Sequence, residues 1–104
     1  MKKNIFTNIP ADIPEEIFET IIESDSIKVE KIISRGQKSP GNFWYDQDKN
    51  EWLIIIKGEA RLQFENNQII DLVKGDYINI PAHQKHRVEW TKPDIETIWL
   101  AIFY

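Results

Sequence analysis

The sequence predicts an all-β domain, an antiparallel sandwich or barrel of seven or eight short strands preceded by a short N-terminal helix. Three observations carry that prediction. From residue 27 onward, apolar and polar side chains alternate with the period of two that a half-buried strand requires. Turn-forming residues recur every six to ten positions, which leaves room for strands and little for helices. Only residues 14–23 space their apolar side chains as a helix does. A chain of 104 residues closes around one modest core, burying roughly 60–70% of its unfolded surface. One domain is therefore expected, with an arm and helix over residues 1–26 and the β-barrel over 27–104.

Residues 1–13 scatter Ile5, Phe6, Ile9 and Ile13 among polar residues, and Pro10 and Pro14 forbid a continuous helix, so an extended arm on the surface is expected. Asp12 can cap a helix, Pro14 suits its first turn, and Glu15 and Glu16 suit its positive end. The helix is expected to run to about Glu23, with Ile17, Phe18, Ile21 and Ile22 on one face. Ile27, Val29 and Ile33 then alternate with Lys28, Glu30 and Ser34, a strand whose pattern falters at Lys31 and Ile32. Residues 35–42 hold two glycines and a proline and form a loop, 43–46 a short aromatic strand and 47–50 a polar turn. Residues 51–57, EWLIIIK, are a continuous apolar run of the kind found where both faces of a strand are covered, which places it centrally. After Gly58 and Glu59, the inward set Ala60, Leu62 and Phe64 alternates with Arg61, Gln63 and Glu65. Asn66 and Asn67 tolerate positive φ and make a tight hairpin to 68–73. A turn at 74–76, a strand at 77–80, a bend at 81–85, a strand at 86–90 and a turn at 91–94 lead to a final strand, 96–104, apolar on both faces.

Composition removes several classes of function. The net charge is −4, with Lys and Arg interspersed among acids, so the long-range positive field that nucleic acids require is missing. The absence of cysteine excludes disulfides, thiolate metal sites and cysteine nucleophiles and suits a reducing compartment. Met1, Lys2 and Lys3 are not followed by the apolar run of a signal peptide, and no stretch reaches the ~18 apolar residues of a membrane span. A cytoplasmic protein with no nucleic-acid or membrane partner is expected.

Two segments stand out as carriers of chemistry. Residues 41–58 read GNFWYDQDKNEWLIIIKG, and residues 75–90 read GDYINIPAHQKHRVEW and contain both histidines, His83 and His86. In the first, Glu51 precedes Gly58 by six intervening residues; in the second, Gly75, Pro81 and His86 stand at fixed spacings. Together these resemble the two motifs of the cupin superfamily, small antiparallel barrels of jelly-roll type built as a double-stranded β-helix. The resemblance covers about half the chain, 41–90, and the flanking strands fit the rest of such a barrel.

In metal-binding cupins a His-any-His pair, a Glu and the second-motif His hold a divalent ion, and the resemblance carries over Glu51 and His86 directly. The His-any-His position holds either Trp44 and Asp46 or Tyr45 and Gln47 here, His83 stands where the second motif has Gly, and Trp90 where it has Asn. An ion such as Mn, Fe, Zn or Ni would then take Asp46, Glu51 and His86, a set of one imidazole and two carboxylates, with a Gln47 carbonyl or a Tyr45 phenol as further donors. His83, three residues from His86, points the opposite way in a regular strand and reads as a surface loop residue. By the same alternation Arg87 faces outward, while Val88 and Trp90 share the inward face with His86. Without metal, Glu51 and His86 serve as base and acid, imidazole titrating near neutrality. Three functions follow: an enzyme on a small organic acid, sugar or aromatic compound, a non-catalytic binder of a small molecule in the barrel, and a structural homodimer formed through the doubly apolar final strand and the Ile-rich arm.

Overall fold

A computed structural model describes all 104 residues. Eight strands form in chain order: β1 (Ile17–Glu23), β2 (Lys28–Ser34), β3 (Glu51–Lys57), β4 (Glu59–Phe64), β5 (Ile69–Val73), β6 (Tyr77–Ile80), β7 (His86–Thr91) and β8 (Thr97–Phe103). They make a five-stranded sheet, β1-β2-β8-β3-β6, and a three-stranded sheet, β5-β4-β7. Every pairing is antiparallel. The core lies between the sheets, with Leu53, Ile55, Ala101 and Trp99 from the larger and Leu62, Phe64 and Leu72 from the smaller. No helix is long and apolar enough to cross a membrane.

The apolar run 51–57 is central as expected, since β3 lies between β8 and β6. The last strand owes its two apolar faces to the same cause: β8 is third of five, between β2 and β3. The hairpin at Asn66 and Asn67 forms with Asn67 at φ 66°, and the chain crosses from one sheet to the other at Gly58, φ 89°.

The expected helix is absent. Ile17–Glu23 is an edge strand paired with β2 from Ile17–Ile33 to Glu23–Lys28. A helix of under three turns has too few hydrogen bonds to repay its nucleation, and Thr20, Ile21 and Ile22 are β-branched. The free edge of β2 offers this segment a full ladder instead. A bulge between Thr20 and Ile22 absorbs one extra residue. Residues 43–46 are likewise not a strand, and Tyr45 makes only an isolated bridge to His86.

Trp90 is not inward. Arg61 pairs with Trp90 and Leu62 with Val88, so Glu89 is an extra residue on β7. The bulge reverses the alternation beyond Val88, and Trp90 comes to lie exposed beside exposed Arg61. The arm does pack on the sheet. Ile13 is buried, and the arm's carbonyls at Thr7, Ala11 and Ile13 accept from Lys31, Arg35 and Gln37.

Candidate functional site

Glu51 opens β3 and His86 opens β7, so the two sheets bring them together at one end of the barrel. The bend at 81–85 sets the second of these. His83 takes φ 65°, its amide donates to the Gln47 carbonyl at 2.8 Å, and the chain then re-enters the sheet with His86 inward and buried. His86 exchanges both backbone hydrogen bonds with Tyr45, at 2.7 and 3.2 Å. The Tyr45 ring stacks on the imidazole with centroids 5.4 Å apart.

His86 Nε2 lies 3.2 Å from Glu51 Oε1, and its Nδ1 lies 2.9 Å from the Gln84 carbonyl oxygen. A carbonyl only accepts, so Nδ1 carries a hydrogen. A proton on Nε2 answers the Glu51 carboxylate charge, which a bare imidazole lone pair would instead oppose. Burial pushes the His86 pKa down, but the Glu51 carboxylate and the Gln84 carbonyl outweigh it and hold the imidazole above its ordinary value.

The pair borders a cavity of about 100 Å³ between the sheets. Phe18, Tyr45, Trp99 and Phe103 supply aromatic walls, Leu53, Leu62 and Val88 aliphatic ones, and Gln47 an amide. Two further carboxylates face it, Glu16 before β1 and Glu30 on β2. Burial raises the Glu16 pKa, the Ser34 hydroxyl opposes the rise, and nearby Glu30 adds to it. Burial, with Glu16, Glu51 and Glu30 behind it, pushes the Tyr45 phenol to about 12.

The cavity thus draws together Glu51, His86, Tyr45 and Gln47 of the sequence-derived candidates. Asp46 and His83 are placed elsewhere. The bridge turns Tyr45 inward, alternation turns Gln47 inward with it, and Asp46 between them projects out to His83 Nδ1 at 2.8 Å. His83 is 64% exposed there, with Asp48 Oδ1 3.8 Å from its other ring nitrogen. Glu16 and Glu30 were not legible as site residues. In β2 the inward set is Glu30, Ile32 and Ser34, while Ile33 faces outward and buried. The faltering of the pattern at Lys31 and Ile32 was the available signal.

The donor set does not fit a divalent ion well. No three of His, Cys, Asp and Glu converge with ligating geometry. Glu51 and His86 face each other directly, and the expected third ligand, Asp46, is paired with His83. A phenol pushed up to about 12 is a poor ligand at neutral pH.

A small jelly-roll barrel with a polar pair set in an internal cavity is the class of protein that fold and site define. The Cupin domain family model matches residues 31–103. A crystal structure from Ralstonia eutropha, described as a "putative mannose-6-phosphate isomerase", superposes with a TM-score of 0.95 at 38% identity, over 99% of this chain and 96% of that one. The chain belongs to the cupin family. A cupin superfamily protein from Desulfitobacterium hafniense shares the fold with a TM-score of 0.76 at 23% identity, covering 91% of this chain and 82% of its own. An RmlC-like cupin from Desulfovibrio desulfuricans does so with a TM-score of 0.75 at 16% identity, covering 99% and 95%. No curated protein sequence matches.

Proposed function

We propose that this cupin binds a small organic molecule in the barrel, with Glu51 and His86 as its polar anchor and without a metal ion. The observation that carries the reading is the 3.2 Å contact between His86 Nε2 and Glu51 Oε1 on the cavity wall. A proton on His86 Nε2 would lie within reach of a molecule bound in the cavity, so acid-base chemistry by the same two residues is the enzymatic form of this reading. Mannose 6-phosphate, which the Ralstonia protein's description names, does not suit the cavity. None of the lining side chains is Lys or Arg, and about 100 Å³ does not accommodate a hexose phosphate. The absence of cysteine suits a cytoplasmic setting.

The metal question is decided by protein purified without affinity-tag metal. Elemental analysis is expected to find no stoichiometric ion, and added Mn, Fe, Ni or Zn is expected to leave the melting temperature unchanged. A rise of several degrees with any of them would restore a site on Glu51 and His86, completed by Gln47.

The outer face of the larger sheet suits a second copy of the chain. Trp52 lies beside Ile102, and Ile54 beside Leu100 and Tyr77. This uncharged strip is the same on both partners of a two-fold dimer and so meets no unpaired charge. Sedimentation at tens of micromolar is expected to show a dimer, and Leu100→Lys a monomer. A monomeric unaltered protein would sink the idea.

A further inference from the structure

Resting on the cavity-ligand reading above, we propose that the molecule taken is a small organic ammonium ion, held by aromatic faces and by the carboxylate of Glu16. The charge around the cavity motivates this. Three carboxylates, Glu16, Glu30 and Glu51, face it, and no Lys or Arg does. Two of the three are matched: Glu51 by His86, and Glu30 by Lys28 Nζ at 3.3 Å. Glu16 has no cationic partner. Its Oε2 accepts from Ser34 Oγ at 2.8 Å, and Ser34 Oγ in turn accepts from the Trp99 indole at 3.2 Å. That chain fixes the orientation of Glu16 without neutralising it, which leaves one uncompensated negative charge at the cavity wall.

Glu51 supplies a second, independent indication. Its side chain is 9% exposed, and only Oε1 meets His86. The residue lines the cavity, and its other oxygen, which receives no hydrogen bond from the protein, is not a sealed polar atom and so keeps accessible surface. Such an oxygen can accept from a donor in whatever fills the space, water included. An ammonium group supplies N–H donors and the missing positive charge together. The walls suit the rest of the molecule: Tyr45, Trp99, Phe18 and Phe103 offer π-faces of the kind that attract organic cations. Burial is the main cause of the raised Tyr45 and Glu16 pKa values, and the neighbouring carboxylates add to both. A cavity of about 100 Å³ holds about four or five non-hydrogen atoms, by proportion with the 150 Å³ cavity that takes benzene.

Isopropylammonium and 2-propanol have the same four-heavy-atom shape and differ in charge, and acetate is an anion of equal size. Each is titrated into ¹⁵N-labelled protein, with the Trp99 indole N–H as reporter. Isopropylammonium is expected to shift that signal saturably and to bind at least roughly tenfold more tightly than 2-propanol, while acetate leaves it unmoved. Glu16→Gln keeps an acceptor for Ser34 and removes only the charge. It is expected to fold, as its amide spectrum would show, and to bind isopropylammonium no better than 2-propanol. If 2-propanol binds as well as the ammonium ion in the unaltered protein, or if Glu16→Gln keeps full affinity, the ammonium proposal is overturned and the cavity reading stands. If acetate binds most tightly, the sign of the charge argument is wrong. If none of the three moves the Trp99 signal, the cavity reading and the proposal fall together.

Discussion

Gly58→Ala is expected to lower stability by roughly 3–5 kcal/mol, the range reached when backbone strain and a main-chain clash coincide. Gly58 has φ 89°, a conformation that costs a residue with a Cβ about 1–2 kcal/mol. The added carbon would also stand 2.6 Å from Thr97 Cα and 2.8 Å from the Glu96 carbonyl oxygen, besides meeting Thr97 Oγ1. Main-chain atoms cannot rotate aside as a flexible side chain can. The site leaves little freedom to relax, because the Thr97 hydroxyl bonds both the amide and the carbonyl of Glu59 and clips the corner where β3 passes to β4. Two other glycines separate the two costs. Gly75 has φ 90° with nothing within 4 Å of where a Cβ would stand, and Gly41 has neither constraint. Urea midpoints are expected to fall in the order Gly41→Ala, Gly75→Ala, Gly58→Ala, at an unchanged slope. If Gly58→Ala and Gly75→Ala lie within about 1 kcal/mol of each other, the clash contributes little and the argument is wrong.

The strands from residue 51 onward were legible because each is bounded by residues whose backbone preferences leave few choices. Gly58, Asn67 and Gly75 all take positive φ at the turns, and between them lie only the six residues of β4 and the five of β5. The first strand was not legible, for a physical reason. Ile17, Phe18, Ile21 and Ile22 fit one face of a helix, and a bulged strand accommodates the same four residues. The decision between them rests on the unpaired edge of β2, which is a tertiary fact and leaves no local trace. Trp90 escapes a local reading in the same way, since a single bulged residue reverses a face and the sequence around Glu89 does not announce it.

The site divides along the same line. Glu51 and His86 were singled out by motif spacings that resemble the cupin pattern, and both open strands that the structure brings into contact. Residues 43–50 form no strand, and one bridge between Tyr45 and His86 decides which of them point inward. That bridge selects Tyr45 and Gln47 over Asp46. Glu16 reaches the cavity from the residue just before β1 and Glu30 from β2, and a reading that made residues 14–23 a helix does not place Glu16 there.

His86→Leu is expected to destabilise the protein by roughly 3 kcal/mol at neutral pH, the low end for breaking a buried ion pair, because the cavity lets water reach part of the orphaned carboxylate. Glu51 would keep its buried position and lose the only cationic group that faces it. The double change Glu51→Leu with His86→Leu is expected to recover most of that loss, since the new side chains would join Leu53, Leu62 and Val88. A strongly non-additive cycle therefore distinguishes a broken pair from two independent packing defects. The pH dependence gives a separate test. His86 in the folded protein lies above its ordinary value, so the folded state binds this proton more tightly than the unfolded chain does. Its contribution is fully present below the unfolded value of about 6.5 and is lost as pH rises through the raised folded value. From about pH 6 to pH 9 the melting temperature of the unaltered protein should fall relative to that of His86→Leu. Parallel curves over that range would show that the imidazole is not held charged by Glu51.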